Sequence, residues 1–264
     1  MESQAIITDA FLGDRSDQED DLSVFRHKAR RLLAVADGMG GHAHGRQASR
    51  WLIEELEHGL AEHPEANRVF AAAVANTIQR MQQTSTDMGC TFVAAIVEQQ
   101  QARYRISFTW LGDSRIYLFS NQSQPPAAEA TRIGEAAGRS LWLLSRDDSF
   151  IWGFHERKEL TLDQLSIHPN KNQLELSVQS RKPLAAETAG KRTQTVFLEP
   201  NDMLFLCTDG VWETFMPQAH LVEKLLAPDP KSAFRDHFEK SPKTGTSDNA
   251  TYVLALAAEG LLGN

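Results

Sequence analysis

The sequence predicts an α+β fold in which helices are layered on antiparallel sheet. Three observations carry this. Two amphipathic helical segments follow a glycine-rich turn, β-rich runs come next with only a few residues between them, and a further pair of such runs closes the chain. No internal repeat or linker-grade segment divides the 264 residues, and 41% of them are apolar, so residues 1–264 are expected to form one domain around a substantial core.

Taken in order, the acidic stretch GDRSDQEDD (residues 13–21) leads into a short strand at LSVF, and LLAVADG carries a second strand that ends at Asp37. From Gly45 to Leu60 the apolar residues Ala48, Trp51, Leu52, Leu56 and Leu60 recur at helical spacing. Phe70, Val74, Ile78 and Met81 do the same in the next segment, which gives a second amphipathic helix. CTFVAAIVE, ARYRISFTW and SRIYLFS then alternate as strands. Their connections are too short for a crossover helix, so the three are expected to pair antiparallel. Residues 121–130 and 180–194 are rich in Pro, Ser and polar residues and read as exposed loops. VFLEPNDMLFLCTDG supplies late strands, residues 217–240 read as helical, and ATYVLALA is the last strand.

Composition excludes several function classes. A formal charge of −8 with no basic block gives no footprint for nucleic acid. No apolar run reaches the ~18 residues of a membrane span, and MESQAIITDAF lacks the basic and apolar regions of a signal peptide. A cytoplasmic chain is expected. Cys90 and Cys207 each sit in a strand-like apolar run, where thiols act as small buried hydrophobes rather than disulfide partners.

The turn VADGMGGHAHG (35–45) is the densest local signal. Its glycines, Gly38, Gly40, Gly41 and Gly45, fit neither GxGxxG nor a Walker-type GK[ST], and the strands downstream are not a parallel βαβ unit. Asp37 stands at a strand end, and a glycine after it lets a backbone carbonyl approach whatever the carboxylate holds. A tight turn with a helix cap is the competing reading. Carboxylate and carbonyl oxygens together suit a hard divalent cation. LFLCTDG repeats the logic at Asp209, TWLGDSR places Asp113 between two strands, and SDNATYVLAL places Asp248 one step before the last strand. Four strand-end aspartates are what a carboxylate cage around two cations would use.

GDRSDQEDD, VADGMGGH, GDSRIYL, LCTDGVWE and SDNATYV resemble, in order, the motifs of the metal-dependent PPM (PP2C-type) serine/threonine protein phosphatases. The lack of an extra domain is similar to the compact bacterial members that oppose Hanks-type kinases. The resemblance implies a four-layer α-β-β-α sandwich: two antiparallel central sheets flanked by helix pairs. It also implies two Mn²⁺ or Mg²⁺ ions, with Asp37 bridging them, Gly38 offering its carbonyl, and Asp209 and Asp248 completing the second ion's shell. Asp37 and Asp209 are the implied catalytic pair. Glu19 and Asp20 would hold metal-associated water, Arg15 would bind the substrate phosphate, and Asp113 would take a third ion shared with Asp209. Residues 145–190 would form a flap.

The chemistry suits these residue types without appeal to the family. Two cations can hold a bridging hydroxide, aim it in line at phosphorus and neutralise the phosphate, so no nucleophilic side chain is required. Phosphorylated proteins are the implied partners, with a cognate kinase; the GDRSDQED form resembles phosphatases of type VI secretion control, and a monomer is expected. Three positions depart from the family pattern. Met39 stands where animal members have a histidine that serves as proton donor, Gln18 replaces an asparagine, and Asp148 in SRDDS takes the place of a histidine. His42 and His44 are read as helix-positioning residues, with proton donation or metal ligation as the alternative. Trp51, Trp110 and Trp212 are read as core, and so are Trp142, Trp152 and Phe154, against a protein-binding surface. Two other functions compete: a catalytically silent phosphatase-like binding module, and a hydrolase of small phosphoesters.

Overall fold

A computed structural model describes residues 5–39, 43–181, 184–239, 247–258 and 260–263. Gly40, Gly41 and His42 of the glycine-rich turn lie outside the described residues. The strands are β1 (Ile6–Phe11), β2 (Asp21–His27), β3 (Arg30–Met39), β4 (Gly89–Gln100), β5 (Arg103–Leu111), β6 (Arg115–Ser120), β7 (Thr131–Ala136), β8 (Arg139–Leu143), β9 (Val178–Gln179), β10 (Gln194–Leu198), β11 (Met203–Cys207) and β12 (Ala250–Leu256). The helices are α1 (Ala43–Glu62), α2 (Ala66–Gln82), α3 (Trp152–Glu156), α4 (Leu162–Ser166), α5 (Leu184–Lys191), α6 (Asp209–Trp212), α7 (Leu221–Leu225) and α8 (Pro230–Glu239). No helix among the described residues is long and apolar enough to cross a membrane.

The strands form two antiparallel sheets, one in the order β10-β5-β4-β3-β2 with β9 beside β4, the other β1-β12-β11-β6-β8-β7. The strand period of two explains why the apolar runs are continuous. Leu32, Ala34 and Ala36 of β3 pack outward on α1, α2 and α5, whereas Leu33 and Val35 pack inward against the other sheet. In the second sheet, Leu204 and Leu206 of β11 fill the space between the sheets, and Phe205 and Cys207 face α6, α7 and α8. Every central strand is buried on both faces, which gives the expected α-β-β-α sandwich.

Two expectations fail. β5 and β6 do not pair: β5 lies beside β4 and β10 in one sheet, and β6 beside β11 and β8 in the other. The short connection is not a hairpin but a corner that carries the chain from one sheet to the next. Gly112, at φ +100°, makes the bend, and a Cβ there would come within 2.5 Å of Thr91. Nor is 180–194 an exposed loop. It contains α5 and the start of β10, and Ala185 and Ala189 are fully buried against the α1–α2 layer. Alanine is the strongest helix former, and small side chains let α5 dock closely.

The buried aromatics are core, as expected for Trp110, Trp142, Trp152 and Trp212. Trp51 and Phe154 are only partly buried; Trp51 sits under the Arg80 guanidinium, 4.7 Å from its ring centroid. Both cysteines are free and buried. Outside the second sheet, Phe234 stacks on Phe205 (5.3 Å) and lies tilted against Tyr252 (4.7 Å). Phe234→Ala is expected to cost about 3–5 kcal/mol of unfolding free energy, read as a lower urea midpoint at unchanged slope.

Candidate active site

The sheets' stacking decides where the acids go. Asp37 shares the parity of Leu33 and Val35, so its carboxylate extends the inter-sheet layer to the end of β3, with Thr91 opposite it in register on β4. Asp209 opens α6 directly after β11 of the other sheet. Asp113 sits at the corner between β5 and β6, and Asp248 just before β12. Together with Arg15, Glu19, Gly38, Met39, Asn172, Leu174 and Asn249 they line one cleft of about 280 Å³. Sequence reading placed Arg15, Glu19, Asp37, Gly38, Asp113, Asp209 and Asp248 in one site, and the structure brings all seven together.

Asp20 stands behind the cleft. One of its carboxylate oxygens accepts from the Thr208 hydroxyl at 2.9 Å, and the other is buried without a hydrogen-bond partner. Gly38 and Gly45 meet backbone to backbone: a Cβ on Gly38 would lie 2.3 Å from the Gly45 carbonyl oxygen and 2.6 Å from that of Glu19. That contact seats the first turn of α1 on the end of β3 and leaves no room for a side chain. The Ser49 hydroxyl of α1 donates to the Glu19 carbonyl at 2.5 Å.

Several positioning residues were missed by sequence reading. Asn249 accepts from the Glu19 backbone N–H at 2.8 Å and donates to the Leu12 carbonyl at 2.9 Å, so its side chain holds the acidic loop against β12. Thr208 receives the Thr251 N–H at 3.0 Å while it donates to Asp20. Their adjacency to Asp209 and Asp248 was the only signal. Gln18, the departure from the family's asparagine, folds back locally, accepting from the Asp20 N–H and donating to the Phe11 carbonyl. His44 is exposed and is not among the residues lining the cleft.

Arg15 points into this field. It donates to the Asp248 carboxylate at 2.7 Å while remaining half exposed. Burial and mutual repulsion raise the acids. Desolvation, followed by the charges of Asp209, Asp20, Asp113 and Asp248, holds the Asp37 carboxyl well above the usual range. Asp209 is raised in the same way, first by desolvation and then by Asp113, Glu213, Asp248 and Asp20. Burial pushes Asp20 and Asp113 up to about 7.

This donor set fits divalent cations: hard oxygen ligands, a glycine backbone at close approach, an orphaned buried carboxylate oxygen at Asp20, and five acids that line the cleft with Arg15 as the one basic side chain among its described lining residues. Among the described residues no three acidic, histidine or cysteine side chains are yet drawn around a single point.

The sequence profile of the protein phosphatase 2C family matches residues 12–255. The chain belongs to this family. It is 27% identical over 237 residues to the serine/threonine protein phosphatase PstP of Mycobacterium tuberculosis, covering 85% of this chain but 40% of that one. It is 28% identical over 257 residues to the serine/threonine phosphatase stp of Listeria innocua, covering 91% of this chain and 90% of that one. Among solved structures of the fold, the catalytic domain of PstP in complex with two manganese ions superposes with a TM-score of 0.68 at 23% identity, over 96% and 98% of the two chains. PppA, a key regulatory component of T6SS in Pseudomonas aeruginosa, does so with 0.65 at 22% identity, over 96% and 98%.

The raised carboxyls set the pH response of the metal-free protein. In the fold they keep protons that the unfolded chain releases near pH ~4, so the stability they confer is full below that pH and is lost as pH rises through about 7 and beyond. In EDTA, the melting temperature is expected to fall between about pH 5 and pH 8. Asp37→Asn should flatten that fall and raise the melting temperature at the upper end; thermal unfolding across the pH series checks both.

Proposed function

We propose that the chain is a metal-dependent phosphoprotein phosphatase that hydrolyses phosphoserine and phosphothreonine. The observation that carries this is the convergence of one arginine and five acids, Glu19, Asp37, Asp113, Asp209 and Asp248, on a single cleft in a protein phosphatase 2C chain. Asp37, the Gly38 carbonyl, Asp209 and Asp248 would hold two Mn²⁺ or Mg²⁺ ions, Glu19 and Asp20 would hold water beside them, and Asp113 would serve a third ion. When bound, the ions supply Lewis acidity and a water of lowered pKa for in-line attack.

The chain's own groups do the rest. Arg15 offers a planar fork of donors to the phosphate oxygens, and its present bond to Asp248 keeps the guanidinium at the cleft mouth. Asn249 and Ser49 hold the backbone of Glu19 from two sides, which fixes where that carboxylate stands. Met39 lines the cleft without an exchangeable proton, so it cannot protonate the leaving alkoxide. Of residues 145–190, the part that precedes α5 would act as the flap, with Asn172 and Leu174 on the cleft wall, whereas α5 belongs to the helical layer.

The proposed partners follow from this chemistry: phosphorylated proteins, a Hanks-type kinase acting on the same hydroxyls, and a type VI secretion setting suggested by the GDRSDQED motif. A silent binding module would keep the repelling carboxylates at an electrostatic cost with no cation to offset it. Phosphate release from a phosphothreonine peptide is the test. It is expected to require Mn²⁺ or Mg²⁺ and to fall more than ~100-fold in Asp37→Asn and Asp209→Asn, beyond the range typical of outer-shell losses. Arg15→Ala should raise KM by roughly tenfold or more, the worth of a charge-assisted contact. Equal inactivity of wild type and both aspartate variants at saturating metal would overturn the reading.

A further inference from the structure

The sequence SRDDS places two adjacent acids, Asp147 and Asp148, at the entrance of the flap. The structure gives each its own arginine, fully buried for Asp147 and partly buried for Asp148. Asp147 takes Arg115 in a bidentate pair, 2.8 and 2.6 Å, with the guanidinium over the Trp212 ring at 3.4 Å. Asp148 takes Arg192, which lies just beyond α5, with one guanidinium nitrogen 2.9 and 2.7 Å from its two oxygens. Both partners of this second pair are largely out of solvent, at 14% and 7% exposure.

Asp148 also clamps the β5–β6 corner. Its carboxylate accepts from the Gly112 N–H at 3.0 Å, and its own N–H donates to the Gly112 carbonyl at 2.9 Å, so both polar backbone groups of Gly112 are held by one residue. The next residue along is Asp113, whose carbonyl is fixed from the other side by the Trp212 indole N–H at 3.0 Å. The Asp148 carbonyl in turn accepts from the Glu175 N–H at 2.8 Å, beside Leu174 of the cleft wall. Arg192 anchors the assembly to the other sheet by stacking over Trp110, 5.0 Å from its centroid.

We propose that Asp148 and Arg192 are positioning residues of the active site, their largely solvent-shielded pair holding the Gly112–Asp113 corner in the place where Asp113 meets a cation. The inference rests on the reading of Asp113 as a cation ligand. It gives a physical role to the position where this chain departs from its family's histidine. A carboxylate can hold the Gly112 amide only if its second demand, a counter-charge, is met, and Arg192 meets it. Without Arg192 the carboxylate is stranded; without Asp148 the corner loses its clamp and Arg192 its partner.

The test is a Mn²⁺ titration of the full chain with two readouts: the Mn²⁺ concentration at half-maximal phosphate release from a phosphothreonine peptide, and the Mn²⁺-induced rise in melting temperature without substrate. Asp148→Asn, Arg192→Gln, the double variant and an Asp113→Asn control are compared with wild type. Each single variant is expected to raise the half-saturating Mn²⁺ about tenfold, the low end for outer-shell partners, and to shrink the melting shift. The double variant, which removes both charges and so escapes the stranded-ion penalty, should be no worse than either single one. If Asp113→Asn weakens the Mn²⁺ response while the Asp148 and Arg192 variants lower only the metal-free melting temperature, the pair is a brace without influence on the site and the inference is overturned. If wild type shows no Mn²⁺ response in either readout, the phosphatase reading itself fails, and the inference with it.

Discussion

Repulsion among carboxylates in the cleft is the constraint around which the molecule is arranged. Two unit charges ~4 Å apart repel by about 4 kcal/mol at an effective dielectric of 20, a sizeable share of the 5–15 kcal/mol by which domains are stable. Asp20, Asp37, Asp113, Asp209 and Asp248 act on one another in this way, and Arg15 is the cation that lines the cleft with them. Protons can offset the repulsion at low pH; divalent cations can do so at neutral pH. A site that is costly alone and relieved by ions is one whose folding and metal binding are coupled.

The sandwich supplies what this cluster needs. Asp37 and Asp209 come from different sheets, so the sheet-to-sheet core sets their separation, and the apolar layer of Val35, Val93, Leu206 and Val253 resists any drift apart. Helix α1 closes the outer side through the Gly38–Gly45 contact, and the Asn249 amide ties the acidic loop to the last strand. The same rigidity reaches the β5–β6 corner through Arg115 and Arg192. These two arginines are structural counter-ions, whereas Arg15, half exposed, is available to a ligand.

Much of this was legible in the sequence because strand-end aspartates followed by small residues have a local signature. Asp37, Asp113, Asp209 and Asp248 could be picked out singly, and their common site followed from the family resemblance. The two-sided burial of β3 and β4 was equally visible in their unbroken apolar runs. The β5–β6 relation was not, because a three-residue gap is compatible with a hairpin or with a corner, and what decides between them is pairing with strands far along the chain, β10 for β5 and β11 for β6. Helix α5 was hidden by flanking charged and proline residues, although its alanines carry the packing. β1, β7 and β8 went unread because their burial depends on neighbours far along the chain. Asn249, Thr208 and Arg192 were silent for a related reason: a hydrogen bond across 43 to 230 residues leaves no local pattern.

The central claim is that cations displace the protons held by the raised carboxyls. Calorimetric titration of Mn²⁺ into the metal-free protein near pH ~6.5, repeated in buffers of different ionisation enthalpy, tests it most directly, because proton release makes the observed heat depend on the buffer. The account predicts at least two Mn²⁺ per chain and a net release of protons that shrinks as pH rises. Binding with no buffer dependence, or no binding at all, would contradict it.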